Sequence, residues 1–86
     1  MAFVDDVHNY YEKLVADYIR EHLAGSPRDY CADVMCLALN RLPPKYILHD
    51  VDMAFFISPK EMEEINNKIA EAVTIARDII AHARKR

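Results

Sequence analysis

Apolar residues recur every three or four positions along much of this chain, which is the pattern of amphipathic helices. The first such stretch runs from about Val4 to Ala24. Its apolar positions are Val4, Val7, Tyr11, Leu14 and Tyr18, with Val15 and Ile19 beside them. Gly25, the only glycine, follows directly and is a natural C-terminal cap. The pattern therefore predicts a first helix over this stretch.

A second stretch, from about Arg28 to Leu42, is apolar on every side between Val34 and Leu39. Six apolar residues fit a buried strand or a buried helix. Alanine, leucine and methionine favour a helix. We expect this helix to lie in the middle of the fold, with Cys36 as a core thiol.

Both ends of the second helix carry boundary signals. Ser26 or Asp29, with Pro27 at the first helical position, is typical of a capped N-terminus. Pro43 and Pro44 end the helix, because proline donates no backbone hydrogen bond and disfavours helix before it. From Lys45 to Ile57 the apolar residues keep no regular period. That segment is predicted to be an extended loop with room for one short strand or turn.

A capping box opens the last helix, with Ser58 and Glu61 three apart and Pro59 at the first helical position. Beyond it a heptad repeat of apolar residues is flanked by Val73 and Ile80. The repeat consists of Met62, Ile65, Ile69, Ala72, Ala76, Ile79 and Ala83. A helix of about 28 residues spans roughly 40 Å. That exceeds what so small a globule needs, so we expect it to pack on a second copy of the chain.

These elements predict a mainly α fold, in which three principal helices and an irregular Pro-Pro loop before the long C-terminal helix form a homodimer. We expect residues 1–86 to be a single domain. The composition, with 52% hydrophobic and 29% charged residues, is that of a soluble globular chain. One glycine and four prolines argue against a fold rich in strands and tight turns.

Charge and targeting signals narrow the partners. A net charge of −3 disfavours nucleic acid as a partner, although Arg77 and the Arg84-Lys85-Arg86 tail keep it as a weaker alternative. The chain has no signal-peptide pattern and no apolar run long enough to cross a membrane. We therefore expect a cytoplasmic protein without a membrane partner.

The sequence carries no catalytic signature, such as a Gly-x-Ser-x-Gly motif or a Gly-rich phosphate loop, so we expect no enzyme activity. The four histidines and two cysteines lack metal-ligand spacing, so we expect no metal and no cofactor. Cys31 and Cys36, five apart on a predicted helix, are poorly placed to form a disulfide.

The segment after the second helix gathers charged and aromatic residues around the double proline. The candidate ligand-binding residues are Arg41, Lys45, Tyr46, His49, Asp50 and Asp52. A guanidinium can bind phosphate, an aromatic ring can stack on a base, and a carboxylate can accept hydrogen bonds from a base edge. In the alternative interpretation the prolines only stop the helix, Tyr46 lies in the core and the charges are solvated.

A distinctive motif surrounds the double proline: Asp33-Val34, then Ala38-Leu39-Asn40, then Leu42-Pro43-Pro44 and Tyr46. It resembles the signature of the late competence development ComFB family, and the resemblance covers roughly residues 8 to 80. The resemblance implies a small helical homodimer that acts as a receptor for cyclic di-GMP or cyclic di-AMP, with effects on competence, motility and surface behaviour. Some members hold zinc through a cysteine cluster before the motif's Asp. Only Cys31 stands there in this chain, so a zinc site does not carry over.

Under this hypothesis Arg41 and Lys45 contact phosphates or stack on a base, and Tyr46 packs against a purine. Asp50 or Asp52 accepts from the Watson–Crick edge of guanine, which favours cyclic di-GMP over cyclic di-AMP. The receptor acts by changing its shape or its affinity for a downstream effector protein. The alternative function is a dimeric helical interaction module that binds protein and no nucleotide.

The other candidate residues are expected to complete the ligand site or to support the loop. His49 would cap a phosphate or a base N7. Asp33 and Asn40 would bond the backbone N–H groups that a turn at Pro43 and Pro44 leaves without regular partners.

Overall fold

A computed structural model describes residues 3–49, 51 and 57–84 of the chain. The described part is mainly helical, as predicted, with three principal helices and one two-stranded ribbon. In chain order the elements are a 3-10 helix (Phe3–Asp5), β1 (His8–Asn9), α1 (Tyr10–His22), α2 (Arg28–Arg41), β2 (Tyr46–Ile47) and α3 (Pro59–Arg84).

Helix α1 begins later than the apolar pattern predicted. Asn9 has extended backbone angles, and its side chain accepts a hydrogen bond from the Tyr11 N–H at 3.2 Å, so it is the N-cap. Val4 and Val7 therefore lie before the helix, where both are exposed. The prediction of a helix from Val4 is wrong because a local cap, invisible to the apolar period, sets the start.

The connection from α1 to α2 turns at Gly25, whose φ of 89° lies in the left-handed region that favours glycine. Helix α2 then begins at Arg28 with Pro27 as its N-cap, and no side chain caps it. The prediction that Ser26 or Asp29 caps this helix is therefore wrong. Pro27 lies one position earlier than predicted and supplies its own extended backbone instead.

The core is formed by one face of each helix. Helix α2 packs against both α1 and α3, and it buries Val34 and Ala38. Its outer face is open, and Cys36, two positions from each of those residues, is exposed. The prediction of a core thiol is wrong because two positions on a helix are about 200° of rotation. The buried residues of α1 and the following turn are Tyr11, Val15, Ile19 and Leu23.

The apolar repeat of α3 predicts the buried residues correctly as far as Ala76 and wrongly beyond it. Ile65, Ile69, Ala72 and Ala76 are buried as predicted. Farther along, Ile80 from the flank is buried while Ile79 is 43% exposed and Ala83 is exposed. A straight helix rotates about 20° per heptad relative to a strict 3.5-residue repeat, so the buried stripe drifts onto the flank. The end of α3 therefore presents apolar residues to the surface.

The predicted capping box of Ser58 and Glu61 at the start of the last helix is confirmed, and so is the predicted short strand of the loop. Ser58 Oγ accepts from the Glu61 N–H at 3.1 Å and donates to Glu61 Oε1 at 3.2 Å. In the ribbon, β1 runs antiparallel to β2, with Asn9 opposite Tyr46. None of the described helices combines the length and apolar content that a membrane span requires.

Candidate ligand site at the Pro-Pro loop

The double proline ends α2 as predicted. Arg41 is the last helical residue, and Leu42 adopts an extended backbone with φ −100° and ψ 130°. Leu42 nevertheless stays buried, so the chain leaves the helix while its last apolar side chain still anchors it to the core. Pro43 and Pro44 are exposed immediately beyond it.

Four of the six candidate ligand-binding residues are described, and all four are exposed: Arg41, Lys45, Tyr46 and His49. Asp50 and Asp52 lie outside the described residues. Tyr46 is 67% exposed, so the alternative that it belongs to the core is wrong. Its ring is open to a binding partner.

Two hollows lie at the end of α2, and both are bordered by Leu42. The Arg41 cleft has a volume of about 270 Å³ and lies between α2 and α3. It is lined by Arg41, Leu42, Pro43, Lys68, Glu71, Ala72 and Ile75. The Tyr46 hollow has about 400 Å³ and lies between the loop and α1. It is lined by Asn9, Glu12, Leu39, Asn40, Leu42, Pro44 and Tyr46.

Arg41 and Tyr46 therefore face adjacent hollows rather than one shared cavity. The Arg41 cleft also contains two charged residues that the sequence did not single out, Lys68 and Glu71. They belong to the polar face of α3, where exposed charges are ordinary. Only the packing of α3 against the end of α2 distinguishes them, and no local signal in the sequence shows it.

The loop is held by a residue that the sequence analysis missed. Asn9 Oδ1 accepts a hydrogen bond from the Lys45 N–H at 2.9 Å, and the Tyr10 N–H donates to the Lys45 carbonyl at 2.7 Å. A signal for this role exists, because Asn9 followed three residues later by Glu12 has the spacing of a capping box. The role of Asn9 as a helix cap could therefore have been predicted from the sequence, but its hydrogen bond to the loop could not.

The sequence also predicted that the polar motif residues Asp33 and Asn40 support the loop. Asn40 Nδ2 lies 3.9 Å from Cys36 Sγ, and Asp33 is exposed on α2. Their role in holding the loop stays a prediction. In the part of the chain that is described, no three histidine, cysteine or acidic side chains come together as a metal site.

Fold and loop together define a small helical protein in which a Leu-Pro-Pro-x-Tyr segment leads out of the middle helix between two hollows. The family described as late competence development protein ComFB matches residues 8–84. The chain therefore belongs to the ComFB family. No curated protein and no solved structure gives a significant match to it.

Proposed function

We propose that this chain is a non-enzymatic receptor for a cyclic dinucleotide, with cyclic di-GMP favoured, and that it acts as a small dimeric signalling protein. The observation that carries the proposal is the pair of hollows that meet at Leu42, with a guanidinium in one and a phenol ring in the other. A cyclic dinucleotide likewise carries two bases, both attached to one ring that contains two phosphates. Family membership supports the proposal through the function that the resemblance implies.

The chemistry of the described side chains suits this ligand. Arg41 offers a planar fork of N–H donors, which binds phosphate in a bidentate manner or stacks on a base. Tyr46 offers an exposed aromatic face to a purine. Lys45 and His49, both exposed in the same segment, are proposed to add donors, and Asp50 and Asp52 to read a guanine edge.

The size of the hollows argues for a divided site. Pockets for drug-sized ligands have about 300–1,000 Å³. The Arg41 cleft, with about 270 Å³, is small for the whole ligand and is proposed to take one nucleotide unit. The second unit would enter the Tyr46 hollow or a matching surface of a second subunit.

A second copy of the chain is proposed to pack on the end of α3. Ile79 and Ala83 belong to the apolar repeat of this helix and are exposed. They border a shallow groove together with Cys36 and Leu37 of α2. We expect Ile79→Glu to convert a dimer into a monomer in light scattering, because it places a charge in the interface. Leu48→Glu, at another exposed apolar residue, is the control and should leave the dimer intact.

Titration calorimetry with cyclic di-GMP tests the receptor function. The wild-type chain should bind, and Arg41→Ala should lose binding because the phosphate loses its bidentate partner. Arg28→Ala, which removes an exposed arginine at the opposite end of α2, is the matched control and should bind as the wild type does. Equal affinity for Arg41→Ala and the wild type would contradict the assignment of Arg41.

Thermal melting with a panel of nucleotides gives an independent test. A ligand present at 100 times its dissociation constant adds roughly 2.7 kcal/mol to the free energy of unfolding. Cyclic di-GMP should raise the melting temperature more than cyclic di-AMP does. A panel in which no cyclic dinucleotide shifts the melting temperature would reject the receptor function.

A dimeric interaction module without nucleotide binding is the second candidate. It is favoured by exposed apolar residues outside α1, α2 and α3, among which Phe3 is 79%, Val4 62% and Leu48 49% exposed. Exposed apolar groups that form a contiguous patch mark protein interfaces. This function predicts an unchanged melting temperature with every nucleotide and a protein partner whose binding Leu48→Glu abolishes.

A further inference from the structure

We propose that the Arg41 cleft is a guanine-nucleotide subsite in which Lys68 and Glu71 of α3 bind the ligand together with Arg41. The inference rests on the proposed receptor function. It adds two ligand-binding residues from a different helix, and it gives one of them, Glu71, the role of reading the guanine that enters this cleft.

The floor of the cleft is apolar and suits the flat face of a base. Leu42 and Ala72 are only 7% and 4% exposed, and Ile75 beside them is half-buried. A purine ring packed on this floor removes apolar surface from water on both sides, which is the main favourable contribution to binding in such pockets.

The rim carries two positive groups from different elements. Arg41 ends α2 and Lys68 lies in the middle of α3, and both side chains are exposed at the cleft. Neither forms an ion pair with Glu71 among the described residues. Two cations from different helices in the lining of one cleft can both bind a phosphate, with the guanidinium fork providing the more directional contact.

Glu71 is the group that makes the cleft selective. A bare anion would be repelled by its carboxylate, so the lining fits a ligand that carries hydrogen-bond donors as well as a phosphate. The Watson–Crick edge of guanine presents two neighbouring donors, N1–H and N2–H, to the two carboxylate oxygens. Adenine presents one amino donor beside an acceptor nitrogen, which faces a carboxylate unfavourably.

Titration calorimetry with cyclic di-GMP and cyclic di-AMP on the full chain tests these roles. Glu71→Gln keeps the shape of the side chain but turns one acceptor into a donor. We expect it to lower the affinity for cyclic di-GMP about tenfold or more, the size of a lost bidentate base contact. The affinity for cyclic di-AMP should not fall. Lys68→Ala should weaken both ligands, because the phosphate is common to them.

Matched controls lie on the same helix. Lys60→Ala and Glu63→Gln alter exposed charges of the same type that do not line the cleft, and both should bind cyclic di-GMP as the wild type does. Melting of each variant without ligand checks that it is folded. Since the substituted side chains are exposed, the melting temperatures should match that of the wild type.

The possible results separate this inference from the receptor function on which it rests. If the wild type binds no cyclic dinucleotide, both the receptor function and the subsite are rejected. If the wild type binds and Arg41→Ala does not, but Glu71→Gln and Lys68→Ala match their controls, only the subsite is overturned. Equal losses for both ligands in Glu71→Gln would overturn its role in reading guanine.

Discussion

The side-chain oxygen of Asn9 accepts a hydrogen bond from the backbone N–H of Lys45 at 2.9 Å, across 36 residues of chain. The same oxygen accepts from the Tyr11 N–H at 3.2 Å and thereby caps α1. One amide group thus starts the first helix and fixes the point at which the Pro-Pro loop enters β2. Together with the bond from the Tyr10 N–H to the Lys45 carbonyl, it holds both backbone polar groups of Lys45.

Replacing this amide should destabilise the fold more than an ordinary surface substitution does. We expect Asn9→Ala to lower the free energy of unfolding by about 1–2 kcal/mol, since it removes a helix cap and a loop hydrogen bond together. Asn9→Asp keeps an acceptor oxygen and should be closer to the wild type. Urea denaturation measures both. Asn66→Ala, at an exposed asparagine of α3, is the control, and an Asn9→Ala variant no less stable than it would contradict the dual role.

Alanine substitutions of two valines in the first apolar stretch should differ sharply in their effect on stability. Val15 is fully buried, whereas Val7 is 49% exposed. Val15→Ala is expected to lower the free energy of unfolding by about 2 kcal/mol, from lost burial and the cavity that remains. Val7→Ala should change it little. Similar midpoints for the two variants in chemical denaturation would show that Val7 is part of the core, as the apolar period alone suggests.

Alanine substitutions of the two serines that precede prolines should also differ in their effect on stability. Ser58 Oγ accepts from the Glu61 N–H, whereas α2 has no side-chain cap. Ser58→Ala should therefore lower the free energy of unfolding by about 1 kcal/mol. Ser26→Ala should have a smaller effect. Thermal or chemical melting of the pair checks this, and Ser58→Asp should restore most of the loss because it keeps a capping oxygen.

An exposed charge cluster on α1 gives a prediction on pH. The hydrogen bond from Lys13 Nζ to Asp17, at 3.0 Å, and the charges of Lys13 and Arg20 hold the pKa of Asp17 below its usual value. A carboxyl whose pKa is lower in the folded chain stabilises it fully above the unfolded pKa of about 3.9, and that contribution is lost as the pH falls through the lower folded value.

Lys13→Ala should therefore raise the pKa of Asp17 toward its usual value. A carboxyl titration followed by NMR measures the change directly. Lys60→Ala, which removes a lysine on α3, should leave the Asp17 titration where it is. If Lys13→Ala leaves it in place as well, the hydrogen bond is not the main cause of the shift.

The helices were predictable because each buries one face, and burial imposes a period on the sequence. The start of α1 and the end of the apolar repeat were not predictable from that period, for two different physical reasons. Asn9 sets the start through a single hydrogen bond, which an apolar pattern does not record. The buried stripe of α3 drifts from Ile79 to Ile80 because a straight helix does not keep a seven-residue repeat.

The candidate site was predictable only where its residues are neighbours in the chain. Arg41, Lys45 and Tyr46 follow one another around the double proline, so the sequence shows them as a group. Lys68 and Glu71 reach the same region only because α3 packs against the end of α2. Pairing across such a distance is decided by tertiary packing, and a charged residue on a helix surface carries no sign of it.

Helix α3 has 26 residues, so it is about 39 Å long, close to the 44 Å of the molecule's longest dimension. It forms one wall of the Arg41 cleft at Glu71 and presents Ile79 about 12 Å farther along the same rod. Glu71 and Ile79 therefore lie about two turns apart on one continuous helix. If a second copy packs at Ile79 as proposed, the ligand site and the subunit contact share this helix, and no loop separates them.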